Sequence, residues 1–108
     1  MQRGEVWWVE FDPAVGSEIR KTRPGIIVSN NAANRNLSRV IVVPVTSNTE
    51  RLFPGEARVN LAGTPSIAMA DQFMTADTMR LKTRVGELSK ADILAVDAAM
   101  RVQLALSK

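Results

Sequence analysis

Residues 89–106 read SKADILAVDAAMRVQLAL, and this stretch decides how the rest of the chain must be organised. Ser89-Lys90-Ala91-Asp92 resembles a capping box. The serine side chain accepts from the backbone N–H three residues on, and the acid answers the helix dipole. The spacing predicts a helix from about Lys90 to Leu106. At 100° per residue, Ile93, Val96, Met100 and Leu104 form one apolar stripe. Ala91, Ala95, Ala98, Val102 and Leu106 lie roughly opposite. Lys90, Asp97 and Arg101 separate the two on one side, and Asp92 and Gln103 on the other. A helix with two apolar faces asks for two partners. One is the chain's own sheet; the other is a second copy of the protein, unless the small alanines simply tolerate water.

Everything before that helix reads as strands and loops. Glu5–Phe11 (EVWWVEF) is rich in Val and aromatics and reads as a strand. Trp7, Val9 and Phe11 share the face expected to be core. Val6 and Trp8 share the other, so Trp8 needs a partner surface or a loop folded over it. Asp12–Thr22 has no periodicity and reads as a long loop. Gly25–Ser29 (GIIVS) is a second strand, entered through Arg23-Pro24, since a proline without a ladder N–H suits a strand start. Asn30–Asn36 (NNAANRN) reads as a loop or a short helical turn. Val40–Thr46 (VIVVPVT) is a third strand whose apolar run predicts burial on both faces, with Pro44 expected at an edge or bulge. Ser47–Gly55 is a polar loop. Glu56–Leu61 and Ser66–Met69 form a hairpin around Ala62-Gly63-Thr64-Pro65, and Arg84–Leu88 is the last strand. Strands first and one helix last give a mainly β fold with α: a small, partly closed antiparallel β-barrel carrying a C-terminal helix. Residues 1–108 are expected to form a single domain.

Composition narrows the chemistry. The 108 residues include no Cys, no His and no Tyr. That excludes disulfides, thiolate zinc sites, a Ser-His-Asp triad, a His-based ribonuclease and a zinc peptidase. No metal site and no cofactor are expected. Catalysis is left to Arg, Lys, Asp, Glu, Ser, Thr, the backbone or a bound ion. No apolar run approaches the ~20 residues needed to cross a bilayer, and Met1–Glu5 lacks a signal-peptide core. The expectation is a cytoplasmic protein with no membrane partner. The net charge is +3, and it is local. Residues 18–39 hold five cations, Arg20, Lys21, Arg23, Arg35 and Arg39, against Glu18 alone, which leaves the rest of the chain slightly acidic. Such a patch suits a phosphate-bearing partner as well as it suits a solvated loop.

Two tripeptides carry the chemical signal. In Thr22-Arg23-Pro24 the proline restricts Arg23 to extended conformations and so directs its side chain. A guanidinium held this way is a bidentate phosphate clamp. Pro44-Val45-Thr46-Ser47 ends the third strand and places the Thr46 hydroxyl at a strand-to-loop junction, where adjacent strands would set it beside Arg23. By spacing alone, a surface arginine and a strand-capping threonine remain the competing reading.

The segments RGEVWWVEFDPAVGSE (Arg3–Glu18), TRPGIIVSNN (Thr22–Asn31), VIVVPVTS (Val40–Ser47), ADQFMTADTMRL (Ala70–Leu81) and VGELS (Val85–Ser89) resemble the MazF/PemK toxins, the stable halves of bacterial toxin–antitoxin pairs. The resemblance runs from Arg3 to the final helix. It implies a homodimeric, SH3-like β-barrel of the CcdB/PemK type. It also implies a sequence-specific, metal-independent endoribonuclease acting on single-stranded RNA. By matching motifs, Arg23, Thr46 and Glu18 are the implied catalytic residues. Two departures stand out. Relatives often read Gln-Gly-Gly after the acid, where this chain has Ile19-Arg20-Lys21. Relatives usually have D-Q-I-R or E-Q-I-R, where this chain has Asp71-Gln72-Phe73-Met74. The second departure removes the basis for borrowing a relative's base preference.

RNA is cut by its own 2′-OH attacking the adjacent phosphorus, which needs one proton removed, one supplied and a phosphorane-like dianion stabilised. Charge stabilisation is the natural role of Arg23, because arginine rarely gives up its proton; general acid is the bolder alternative. Thr46 would donate to a non-bridging oxygen. Glu18 is either the base or the group that orients Arg23. Arg20, Lys21, Ser47, Arg35 and Arg51 are the expected RNA-backbone contacts. Trp8, Phe53 and Phe73 are candidate stacking platforms, although Phe53 also fits a loop anchor. The expected protein partner is an acidic, partly disordered antitoxin. Two rival readings are a CcdB-like topoisomerase poison acting by binding alone and an SH3-like interaction module. The first needs neither Arg23 nor Thr46, and the charge concentrated at residues 18–39 argues weakly against the second.

Overall fold

The computed structural model describes residues 1–11 and 22–107. Its central strand is β3 (Arg39–Thr46), and the other elements are arranged around it. The chain runs β1 (Glu5–Glu10), β2 (Thr22–Ile27), α1 (Asn31–Asn36), β3, β4 (Ala57–Leu61), β5 (Thr64–Ala68), β6 (Met74–Asp77), β7 (Leu81–Glu87) and α2 (Lys90–Gln103). All pairings are antiparallel, in the order β4-β5-β3-β2-β1-β7, with β6 also on β3. The sheet curls into a half-barrel with the helix at the chain's end, as the alternation of strands and the single amphipathic helix predict.

β3 changes partner part-way along. Arg39–Val42 pair with β6 and Val45–Thr46 pair with β5, while β2 runs along the other edge at Val42–Pro44. Pro44 therefore sits in a central strand, at the point where one neighbour hands over to the next, and not at a sheet edge. The N–H and C=O of one strand residue point to the same side. The Pro44 carbonyl accepts the Met69 N–H at 2.8 Å, so its missing donor falls on the side where the ladder is already interrupted.

Burial on both faces of β2 and β3 follows from their continuous apolar runs. Ile26, Val43 and Val45 join Val6, Ala57, Val59, Ala68, Leu88, Val96 and Ala99 in the core beneath α2. Ile27, Val40 and Val42 join Val9, Phe11, Ala76 and Leu81 in a second core on the opposite face. Val9 and Phe11 are core as expected, and Trp7 is half-buried against them. Val6, assigned to the non-core face, is also buried, because that face is covered by the helix at its position. Trp8, two residues on, lies beyond that cover and keeps 42% of its surface exposed. On β1, burial pushes the Glu5 carboxyl up, but the Trp7 Nε1–H bond at 2.9 Å, a backbone hydrogen bond at Gln2, the terminal amine and Arg84 outweigh it and hold the group below its ordinary value.

The cap at Ser89 forms as read: its hydroxyl accepts the Asp92 N–H at 3.1 Å. The Asp92 carboxylate also accepts the Asn60 N–H at 2.9 Å and ties the helix start to β4. The helix stops at Gln103, short of the expected Leu106. Ala105 adopts φ +55°, and the Leu106 N–H reaches back to the Arg101 carbonyl at 2.9 Å while the Ala105 N–H reaches Val102 at 3.2 Å. This is a Schellman ending built on alanine in place of the usual glycine. Leu104 accordingly leaves the core stripe and is exposed, whereas Ala95, assigned to the outer face, packs against the core. The outer face carries Leu94, Val102 and Leu106 exposed to solvent. β6 is an element that the sequence reading lacks, and β2 and β7 begin earlier than read, at Thr22 and Leu81.

Candidate active site

Arg23 and Thr46 meet because of the strand register. Gly25 faces Pro44 across β2 and β3. Two residues further along the same antiparallel run, Arg23 and Thr46 come to the end of their strands together. Both line one open cleft of about 460 Å³, with Trp8, Ser47, Ser66 and Val85 around them. Pro24 lies beside Trp8 in the β1–β2 register, so the residue that directs Arg23 is itself backed by the exposed indole.

The two side chains are left in states suited to an anionic oxygen. The Arg23 Nε atom is buried and has no hydrogen-bond partner among the described residues. A buried donor left unpaired costs about 1–3 kcal/mol, more for a charged group, so a ligand oxygen reaching it would recover that penalty. Thr46 Oγ1 accepts the Asn48 N–H at 3.2 Å. That bond uses one of the two lone pairs and leaves the hydroxyl proton available to donate. A guanidinium and a hydroxyl donor facing one cleft form a site for a tetrahedral or trigonal-bipyramidal oxyanion. Ser47 adds a second, exposed hydroxyl.

On the other side of Thr46 lies a second cleft of about 350 Å³, beneath the loop joining β3 to β4. Asn48, Glu50, Arg51, Phe53, Glu56, Asp71 and Gln72 line it together with Thr46. The Arg51 guanidinium stands over the Phe53 ring, 5.6 Å from its centroid. Phe53 is half exposed, at 52%, and its N–H is held by Glu56 Oε1 at 3.0 Å. It is thus a surface platform on an ordered turn. Gly55, at φ +82°, closes that turn, and its carbonyl accepts the Asp71 N–H at 3.1 Å. That bond brings the short 3-10 turn Ala70–Gln72 under the loop.

The remaining expected residues fall elsewhere. Arg35 is exposed in the last turn of α1 and lines neither cleft. Phe73 is not an exposed stacking platform: it is half-buried and packs against the core beneath α2, because the turn at Ala70, which has no exposed surface, draws it inward. Glu18, Arg20 and Lys21 lie outside the described residues. Asp71 and Glu50 are site-lining residues without an individual role in the sequence reading. Their neighbours in space are far off in sequence, and only the departure at Asp71–Met74 hinted at that segment. Among the described residues, no group of three or more His, Cys, Asp or Glu is placed to hold a metal ion.

The family model for the PemK-like, MazF-like toxin of type II toxin–antitoxin systems matches residues 2–104. The endoribonuclease MazF9 of Mycobacterium tuberculosis is 36% identical over 115 residues, covering 98% of each chain. The endoribonuclease EndoA of Bacillus subtilis is 27% identical over 111 residues, covering 98% of this chain and 96% of the other. Among solved structures, an endoribonuclease in complex with its cognate antitoxin from a mycobacterial species superposes with a TM-score of 0.82 at 26% identity, covering 100% of this chain and 98% of that one. MazF of Deinococcus radiodurans shares the fold with a TM-score of 0.86 at 24% identity, over 98% and 97% of the two chains.

Proposed function

The chain belongs to the PemK-like, MazF-like toxin family of type II toxin–antitoxin systems, and from that membership we propose that it is a sequence-specific, metal-independent endoribonuclease toxin that cleaves single-stranded RNA, with mRNA as its cytoplasmic target. The observation that carries the reading is the meeting on one cleft of Arg23, whose buried Nε has no hydrogen-bond partner among the described residues, and Thr46, whose Oγ1 accepts the Asn48 N–H. A protein that works by binding alone has no need of that pair.

In the proposed reaction the substrate supplies its own nucleophile. The 2′-oxygen attacks the adjacent phosphorus, its proton leaves to a base, and the bond to the 5′-oxygen of the next nucleotide breaks as that oxygen takes up a proton. The products are a 2′,3′-cyclic phosphate and a 5′-hydroxyl. Arg23 binds the non-bridging oxygens and gains strength as their charge grows. Thr46 donates to one of the same oxygens. Glu18 serves as the base or holds Arg23 in place. Ser47, Arg51 and Phe53 contact the strand on either side, with Arg20, Lys21 and Arg35 as further cations along its path.

We further propose a homodimer, supported by the exposed Leu94, Val102 and Leu106 on α2, and neutralisation by an acidic, partly disordered antitoxin laid over the basic cleft. Sedimentation at micromolar concentration checks the dimer; a monomer contradicts it. No helix among the described residues is long and apolar enough to cross a membrane.

The test is digestion of a long RNA with chemical analysis of the ends. Cleavage is expected to persist in EDTA, to yield cyclic-phosphate and 5′-hydroxyl termini, and to cease at a nucleotide carrying 2′-deoxyribose. Activity lost on chelation and restored by magnesium, or cutting at the deoxy site, contradicts the mechanism.

A further inference from the structure

The two adjacent tryptophans of β1 have opposite fates. Trp7 packs against the second core, and its Nε1–H is taken up by Glu5. Trp8 keeps 42% of its surface exposed, and its Nε1–H has no hydrogen-bond partner among the described residues. An indole is a large apolar body to leave in water, and covering it is favourable. Trp8 does not stand alone. Pro24 faces it across the β1–β2 register, and Pro24, Leu61 and Val85 line with it the cleft that also holds Arg23 and Thr46. Val85 is exposed as well. An apolar shelf thus lies beside the guanidinium whose Nε is buried without a partner among the described residues.

The lining of this cleft matches one nucleotide in kind. Among the described residues it holds no carboxylate and no amide side chain; Arg23 is its cation, and the rest is apolar or carries the hydroxyls of Ser and Thr. A nucleotide brings a phosphate for the guanidinium, a hydroxylated sugar for the hydroxyls and a π-face for the indole. A protein surface laid here would need a carboxylate of its own to satisfy Arg23, whereas RNA carries the anion in its backbone. At about 460 Å³ the cleft lies within the range of ligand pockets. Carboxylates and amides are the side chains that read base edges in pairs of hydrogen bonds. Stacking on an indole needs only the π-face that every base has. A base held here is therefore gripped without being selected.

We propose that Trp8 is the stacking platform of a base-tolerant nucleotide subsite beside the cleaved phosphate. The inference rests on the endoribonuclease reading above and adds one binding residue and the kind of recognition it performs. The test uses full-length protein and measures affinity for a single strand made uncuttable by 2′-deoxyribose at the cut nucleotide, single-turnover rate at saturating RNA, and melting temperature. Trp8→Ala is expected to weaken affinity by about five- to hundredfold, the range of one stacked base, with the saturated rate within a few-fold of wild type. Trp8→Phe, which keeps a π-face, should recover most of the affinity. Trp8→Leu, which keeps the apolar bulk alone, should not, and it serves the same purpose should the alanine variant fold poorly. Strands with one abasic nucleotide then locate the base. At one position flanking the cut, wild type should lose as much as Trp8→Ala does, and the two losses should not add. Exchange among the four bases at that position should change affinity by no more than a few-fold. Unchanged affinity in Trp8→Ala and Trp8→Leu overturns the assignment, as do losses that add at every position or strict selection of one base where they fail to add. Weaker self-association or weaker binding of a protein partner, with RNA affinity intact, would assign the indole to a protein surface and overturn it too. A wild-type protein that cuts no RNA at all would remove the parent reading, an outcome distinct from RNA cut without regard to Trp8.

Discussion

On one side of Thr46 the molecule presents a guanidinium, several hydroxyls and the Trp8 indole; on the other it presents three carboxylates, two amides and an arginine stacked on Phe53. The first cleft is made by strand ends in register, β2 against β3. The second is made by a loop and a 3-10 turn drawn together by the bond from Asp71 N–H to Gly55. One hydroxyl thus marks the border between two linings of opposite sign. The first lining suits an anionic oxygen, and the second, acidic one does not.

Substitutions break this division to different degrees. The largest effect is expected at Arg23: its truncation to alanine should slow cleavage by about 10²–10³, the typical loss for one transition-state donor, while base preference stays as in wild type. Thr46→Val keeps the shape and β-branching but removes the donor. It should slow cleavage by about ten- to hundredfold, in keeping with about 1.5–3 kcal/mol for a hydrogen bond to a charged group. Single-turnover rates on one oligonucleotide check both. Gly25→Ala acts through the scaffold. An added Cβ would stand 2.8 Å from Val9 Cγ2 and 3.6 Å from Val42 Cβ, within the fully buried second core. Overpacking of this kind costs about 1–3 kcal/mol, so the melting temperature should fall by at least about 4 °C. Cleavage should drop only modestly. An unchanged melting temperature would mean that β1 and β2 yield more freely than their packing suggests.

The two clefts were also unequally legible in the sequence. The Arg23–Thr46 side could be read because its parts are local. Arg23 precedes a proline that sets its backbone, Thr46 ends a run of β-branched residues, and both strands show their hydrophobic pattern. The cleft beneath the β3–β4 loop is tertiary. Nothing in Ala70-Asp71-Gln72 foretells a meeting with Gly55 and Arg51, and Phe73 looked like a stacking residue until the turn placed it in the core. β6 went unread for a related reason. Met74-Thr75-Ala76-Asp77 is a weak strand former by itself and is held by pairing with an already formed β3. At the helix end the apolar spacing continues through Leu104 and Leu106, but the backbone turns at Ala105 without the glycine that would have announced it. The Asp12–Thr22 reading, together with Glu18, Arg20 and Lys21, falls mostly outside the described residues.

The measurement that bears most directly on the Arg23–Thr46 cleft separates binding from chemistry at Arg23. RNA affinity and single-turnover cleavage rate are to be determined for wild type, Arg23→Ala and Arg23→Lys, with melting temperature as the control for folding. If Arg23 acts on charge that develops only in the transition state, Arg23→Ala keeps affinity within a few-fold and loses about 10²–10³ in rate. Arg23→Lys, which keeps the charge but not the planar fork, recovers little of it. Cleavage by Arg23→Ala at near the wild-type rate, or a fall in affinity equal to the fall in rate, would contradict the assignment of the chemistry to this cleft.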